Sequence, residues 1–160
     1  MQKIILGIDP GIADTGYGFI RVCGTSLECL EYGSIKTPAH TELSERLQTL
    51  YVELQRLIKK HNPQGAAIEQ LFFNKNVSTA LIVGQARGVA LLALKQAGVP
   101  LVDFTPSQIK QSVSSYGQAS KNQVQRMVKM ILGLETIPKP DDAADALAAA
   151  ICGANYRFAK

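Results

Sequence analysis

A chain of 160 residues has the length of one domain with one substantial core, and a hydrophobic share of 46% excludes a disordered chain. The net charge of +4 names no partner by itself. Its distribution is uneven: from Gln70 to Lys139 eight lysines and arginines stand against two acids, a local balance of +6 that fits a surface for a polyanion and a solvated basic face equally well.

The opening MQKIILGIDPG holds an apolar run too short for a signal peptide and no small-residue cleavage site. The most apolar stretch, 77–97, is interrupted by Gln85, Arg87 and Lys95, so no membrane span and no membrane partner are expected. Cys23, Cys29 and Cys152 lack metal-binding spacing and predict free thiols in a reducing, cytoplasmic setting.

Residues 3–9 form a continuous apolar run closed by Pro-Gly, which predicts a central strand entering a turn. Residues 15–22 and 27–36, Gly-bounded and partly aromatic or β-branched, predict two more strands in hairpin succession. Leu43, Leu47, Leu50, Leu54 and Leu57 mark one face of a helix, with Thr41 as its N-cap, Glu42 and Glu45 in its first turn and Asn62-Pro63 at its end. GAAIEQ (65–70) predicts a short buried strand, 76–97 a long helix and 99–104 a last strand, with helices near 106–113, 120–132 and 140–156. Hairpin strands followed by alternating helix and strand predict an α/β protein, a mixed sheet with helices on its faces. Without repeats, low-complexity stretches or a linker, residues 1–160 are expected to form a single domain.

The acids fall at informative places. Asp9 ends the first strand and Glu69 the strand that follows the crossover helix; functional groups gather at such carboxyl ends. Asp142 and Asp145 lie three apart in DDAADALAAAI and share a helix face, within Ala-rich surroundings that allow tight packing on the sheet. Taken singly, Asp9 suits a turn, and Asp141 or Asp142 suits a helix N-terminus after Pro140. Glu69 and Asp145 have less structural excuse, since a buried unpaired carboxylate is costly. Carboxylates converging without a matching lysine or arginine would repel one another. Hard divalent cations, Mg²⁺ or Mn²⁺, resolve that conflict through oxygen ligands. Two such ions about 4 Å apart would activate a water and stabilise the leaving oxygen in phosphodiester cleavage.

The stretches GIDPG (7–11) with TGYG (15–18), AIEQLFFNKN (67–76), GQARGVA (84–90) and DDAADALA (141–148) follow an order and spacing that resembles RuvC-type Holliday junction resolvases. These belong to the ribonuclease H-like nuclease superfamily, and the resemblance covers nearly the whole chain. It implies a ribonuclease H-like mixed five-stranded sheet flanked by helices on both faces. It further implies a Mg²⁺-dependent homodimer, with two ions per subunit, that nicks opposed strands of a four-way DNA junction symmetrically and leaves 5′-phosphate and 3′-hydroxyl ends. A branch-migration motor is the implied partner. The family's metal-binding acids fall on Asp9, Glu69, Asp142 and Asp145; helical spacing alone would also admit Asp141, four residues from Asp145.

By the same resemblance, Phe72 or Phe73 would probe the junction centre by stacking on an unpaired base. Lys110 and Lys121 match lysines near the scissile phosphate, where a cation neutralises transition-state charge. Lys75, Asn76 and Arg87 are looser DNA-binding candidates. The long helix supports a dimer independently, because it is apolar nearly all round and Ala80, Gly84 and Gly88 recur every four residues along it. His40 and His61 fall in no matching motif, and both are expected to be loop or helix-end residues. Three rivals stand beside this reading. GIDPGIADTGYG resembles the first phosphate loop of actin-like ATPases and sugar kinases, although those close two such domains over the nucleotide. A ribonuclease H-like nuclease acting on RNA and a catalytically silent junction binder are the others.

Overall fold

The computed structural model describes residues 2–70 and 77–158. In chain order the elements are β1 (Gln2–Asp9), β2 (Asp14–Cys23), β3 (Ser26–Lys36), α1 (Leu43–His61), β4 (Gly65–Glu69), α2 (Val77–Gln96), β5 (Leu101–Phe104), α3 (Pro106–Ser114), α4 (Lys121–Ile131) and α5 (Asp141–Ala154). The five strands form one sheet in the order β3-β2-β1-β4-β5. The β3-β2-β1 part is antiparallel and β1-β4-β5 is parallel. This is the expected mixed sheet.

Both faces are covered. Leu6, Ile8, Phe19, Ala66 and Ile68 pack with Leu50, Leu54, Ala86 and Ala90 of α1 and α2. Ile5, Ile20 and Ala67 pack on the other side with Ile109, Val128 and Leu147 of α3, α4 and α5. Because side chains alternate along a strand, Ile5 and Gly7 share their face with Asp9, and Gly65 and Ala67 share theirs with Glu69. Both acids are therefore delivered to the α5 side. With Ile8 opposite Ile68 in the parallel register, Asp9 and Glu69 end neighbouring strands at the same level.

The seat of α5 is made of glycines. A Cβ at Gly7 would fall 1.8 Å from the Ala146 carbonyl oxygen, and one at Gly16 2.0 Å from that of Asp142. At Gly18 it would meet the Leu147 side chain at 2.6 Å. The helix backbone thus lies on the backbones of β1 and β2, and from Ala143 to Ala154 every residue except Asp145 is buried.

Two expected details differ. Thr41 does not cap α1: its hydroxyl donates to the Pro38 carbonyl at 2.9 Å, and the helix begins after Glu42 with no side-chain cap. The last strand begins at Leu101, since Pro100 has no N–H to enter the ladder, although its carbonyl accepts from Ala66 N at 2.8 Å. His61 does end α1, hydrogen-bonded to Glu31 and stacked on Phe19 with ring centroids 4.2 Å apart. Among the described residues no helix is long and apolar enough to cross a membrane.

Candidate active site

Three elements converge beyond the carboxyl ends of β1 and β4. Asp9 and Glu69 come from the strand ends, and the first turns of α5 contribute Asp142 and Asp145. The N-terminal end of α5 points there, so its free N–H groups and dipole favour negative charge. Asp145 interrupts an otherwise buried run, and its side chain keeps 29% exposure.

The four acids share one field. Burial is the largest cause that raises the Asp9 carboxyl from its ordinary 3.8 to about 8, followed by the charges of Asp145, Asp142 and Glu69, with Lys121 opposing. Glu69 is pushed up by burial and then by Asp145, against Lys110 and Lys121. Burial also raises Asp145, and its hydrogen bond with Lys121 works the other way. Among the described residues no three Asp, Glu, His or Cys side chains stand close enough to grip one ion as placed. What unites the acids is mutual repulsion across a shared, largely buried space.

Asp141 behaves differently from its neighbour. Its carboxylate accepts from Lys139 at 2.8 Å, is 46% exposed, and is held below its usual range first by that contact and then by a hydrogen bond from Gln125. Asp142 is among the charges that raise Asp9, and both Asp142 and Asp141 raise Asp145. Helical spacing leaves the two interchangeable; the Lys139 contact is what sets Asp141 apart.

The expectation of acids without a matching cation is corrected by Lys121. Its ammonium lies 3.1 Å from Asp145 and 3.6 Å from Asp141. Ser120 and Gln123 form a capping box that starts α4 there and sets Lys121 at the first helical position. That box is readable as SKNQ (120–123), a signal that would have pointed Lys121 toward a helix end. Lys110, on α3, acts on Glu69 through its charge. Arg87 is turned inward, paired with Asp103 and donating to the Glu69 main-chain carbonyl at 3.2 Å, so its guanidinium is committed within the chain. Phe72, Phe73, Lys75 and Asn76 lie outside the described residues.

A mixed five-stranded sheet with acids at adjacent parallel strand ends, faced by an acidic helix N-terminus, defines a protein of the ribonuclease H-like class. The model of the family described as crossover junction endodeoxyribonuclease RuvC matches residues 5–153, and the chain belongs to that family. It is 57% identical over 152 residues to the crossover junction endodeoxyribonuclease RuvC of Heliobacterium modesticaldum, covering 95% of this chain and 94% of the relative. It superposes on Thermus thermophilus RuvC in complex with a Holliday junction substrate with a TM-score of 0.91 at 35% identity, over 95% of this chain and 93% of that one. The yeast mitochondrial Holliday junction resolvase Ydc2 shares the fold at a TM-score of 0.65 and 16% identity, over 94% of this chain and 78% of the other.

Proposed function

We propose that this chain is a divalent-metal-dependent endodeoxyribonuclease that resolves four-way DNA junctions by paired, symmetric nicks leaving 5′-phosphate and 3′-hydroxyl ends. The observation that carries the reading is the convergence of Asp9, Glu69, Asp142 and Asp145, with Asp9 raised to about 8 by burial and the other three charges. Family membership and the likeness to a junction-bound RuvC support the substrate.

The donor set fits Mg²⁺ or Mn²⁺, since four carboxylates offer hard oxygens and, among the described residues, no softer ligand joins them. Two bound ions would supply an activated water and stabilise the leaving oxygen. The chain's own part is to hold the four acids, to bring Lys121 and Lys110 to the phosphate's developing charge, and to exclude water beneath α5. Phe72 or Phe73, with Lys75 and Asn76, would engage the junction itself.

A second copy would complete the assembly through α2. Ala86, Ala90, Ala93 and Leu94 face the core, while Leu81 and Leu92 are 63% and 52% exposed on the outer side. Gly84 and Gly88 leave open space where side chains would stand. A branch-migration motor remains the partner that the resemblance implies.

The phosphate-loop reading of GIDPGIADTGYG loses its ground in the packing. Gly16 and Gly18 make room for α5, and buried Thr15 gives its hydroxyl to the Gly11 carbonyl. The functional test is a synthetic four-way junction with Mg²⁺, nick positions mapped on every strand. Paired nicks on opposed strands are expected; an uncut junction, or cutting of an RNA duplex in preference, would overturn the reading. In the same assay Asp142→Asn should lower the rate by about 100-fold or more, and Asp141→Asn by less than about 10-fold. The reverse ranking would transfer the ligand role to Asp141.

A further inference from the structure

Glu69 is the last residue of a five-residue strand. Its carboxylate sits where burial and Asp145 both disfavour its charge. Such a group holds its place only if the backbone beneath it is fixed.

Arg87 supplies that fixation from a different layer of the fold. Its side chain, 15% exposed, runs from α2 to the sheet. The guanidinium donates through Nη1 to the Glu69 carbonyl at 3.2 Å and through Nη2 to the Asp103 carboxylate on β5. Asp103 stands opposite Ile68 in the parallel β4–β5 register, one step before Glu69. The next main-chain bond, Gln70 N to Phe104 O at 2.8 Å, closes the same corner. A planar, permanently charged fork can bind two acceptors in fixed directions at once; an ammonium cannot reproduce that geometry.

We propose that Arg87 is a positioning residue: bridged to Asp103, it clamps the end of β4 so that Glu69 presents its carboxylate to the acidic site, and it ties that placement to α2. The same helix carries the outward Leu81 and Leu92 surface, so one element touches both the proposed dimer face and the backbone of a proposed metal ligand. This rests on the reading of Glu69 given above. A displacement of about 1 Å at a reacting centre is enough to cost roughly 100-fold in rate, which makes a main-chain clamp consequential.

The test uses the full chain with Arg87→Met, Asp103→Asn and the double variant. Three quantities are measured: single-turnover cleavage of a saturated four-way junction, junction affinity without divalent metal, and Mn²⁺ affinity by titration calorimetry. Arg87→Met should cut about 10- to 100-fold more slowly with junction affinity within about 2-fold, and should bind Mn²⁺ several-fold more weakly. Asp103→Asn should give a smaller loss of the same kind, and the double variant should be no worse than Arg87→Met, as expected of one unit. Junction affinity falling while the saturated rate holds would make Arg87 a phosphate contact and overturn the proposal. Should Arg87→Met fail to fold, Asp103→Asn decides, because its side chain is 42% exposed. A wild-type rate and Mn²⁺ affinity in Asp103→Asn refutes the clamp. An unaltered chain that leaves the junction uncut removes the functional reading, and this inference with it.

Discussion

Asp9→Asn should abolish junction cutting and, in the absence of divalent metal, raise the melting temperature near neutral pH. Both effects come from one cause. Burial and the charges of Asp145, Asp142 and Glu69 lift the Asp9 carboxyl from 3.8 to about 8. Between those values the folded state holds a proton that the unfolded chain releases. The stability linked to that proton is fully present below about 3.8 and is lost as pH rises through about 8. Unfolding in chelator at pH 5 and pH 8 should therefore show the wild type weakening with pH. The amide of the Asp9→Asn variant carries no charge at either pH, so the variant should lose less and gain several degrees at the upper value. Glu69 and Asp145, raised by the same burial, leave part of the slope in place. Mg²⁺ should stabilise the wild type most at the higher pH and Asp9→Asn little at any pH. Junction binding should survive, since it rests on basic residues and shape. Cutting by the variant would remove Asp9 from the chemistry. Equal destabilisation at both pH values would make it an ordinary structural residue.

Much of this site is legible in the sequence, for a reason specific to strands and helices. A strand's alternation and its end are visible in sequence, so Asp9 and Glu69 could be placed at neighbouring carboxyl termini once the crossover was recognised. Helical spacing put Asp142 and Asp145 on one face. It could not separate Asp141 from Asp142, because adjacent first-turn residues differ by what lies across from them: Lys139 and Gln125 for the one, Asp9 for the other. Lys121 as a counter-charge, 3.1 Å from Asp145, depends on how α4 docks beside α5, and nothing local encodes that. For Arg87, a looser DNA-binding candidate by resemblance, the pairing with Asp103 and the Glu69 carbonyl is not legible locally, because these partners are 16 and 18 residues away. Thr41 failed as a cap through a local competition, since Pro38 offers its hydroxyl an acceptor three residues back.

Glycines at two places in the fold have opposite expected responses. At Gly7 an added methyl meets the Ala146 carbonyl oxygen at 1.8 Å, backbone against backbone, and no rotamer relieves it. Gly7→Ala should lift α5 from the sheet and destabilise the fold by about 3 kcal/mol or more. The acids of α5 move with the helix, so cutting should fall further than the remaining folded fraction explains. At Gly84 and Gly88 a Cβ would have no atom within 4 Å. Each change to Ala there should leave the subunit as stable, or about 1 kcal/mol more stable through helix propensity. On the proposed dimer their cost should appear only between subunits, where Gly84→Leu with Gly88→Leu would hold two α2 helices apart. Unfolding curves and solution mass separate these outcomes. Gly7→Ala should shift the first, the α2 pair only the second, with dimer giving way to monomer. A double variant that stays dimeric would move the interface off α2. If it becomes monomeric yet still nicks opposed strands in concert, the pairing of nicks cannot arise from two sites held together through α2.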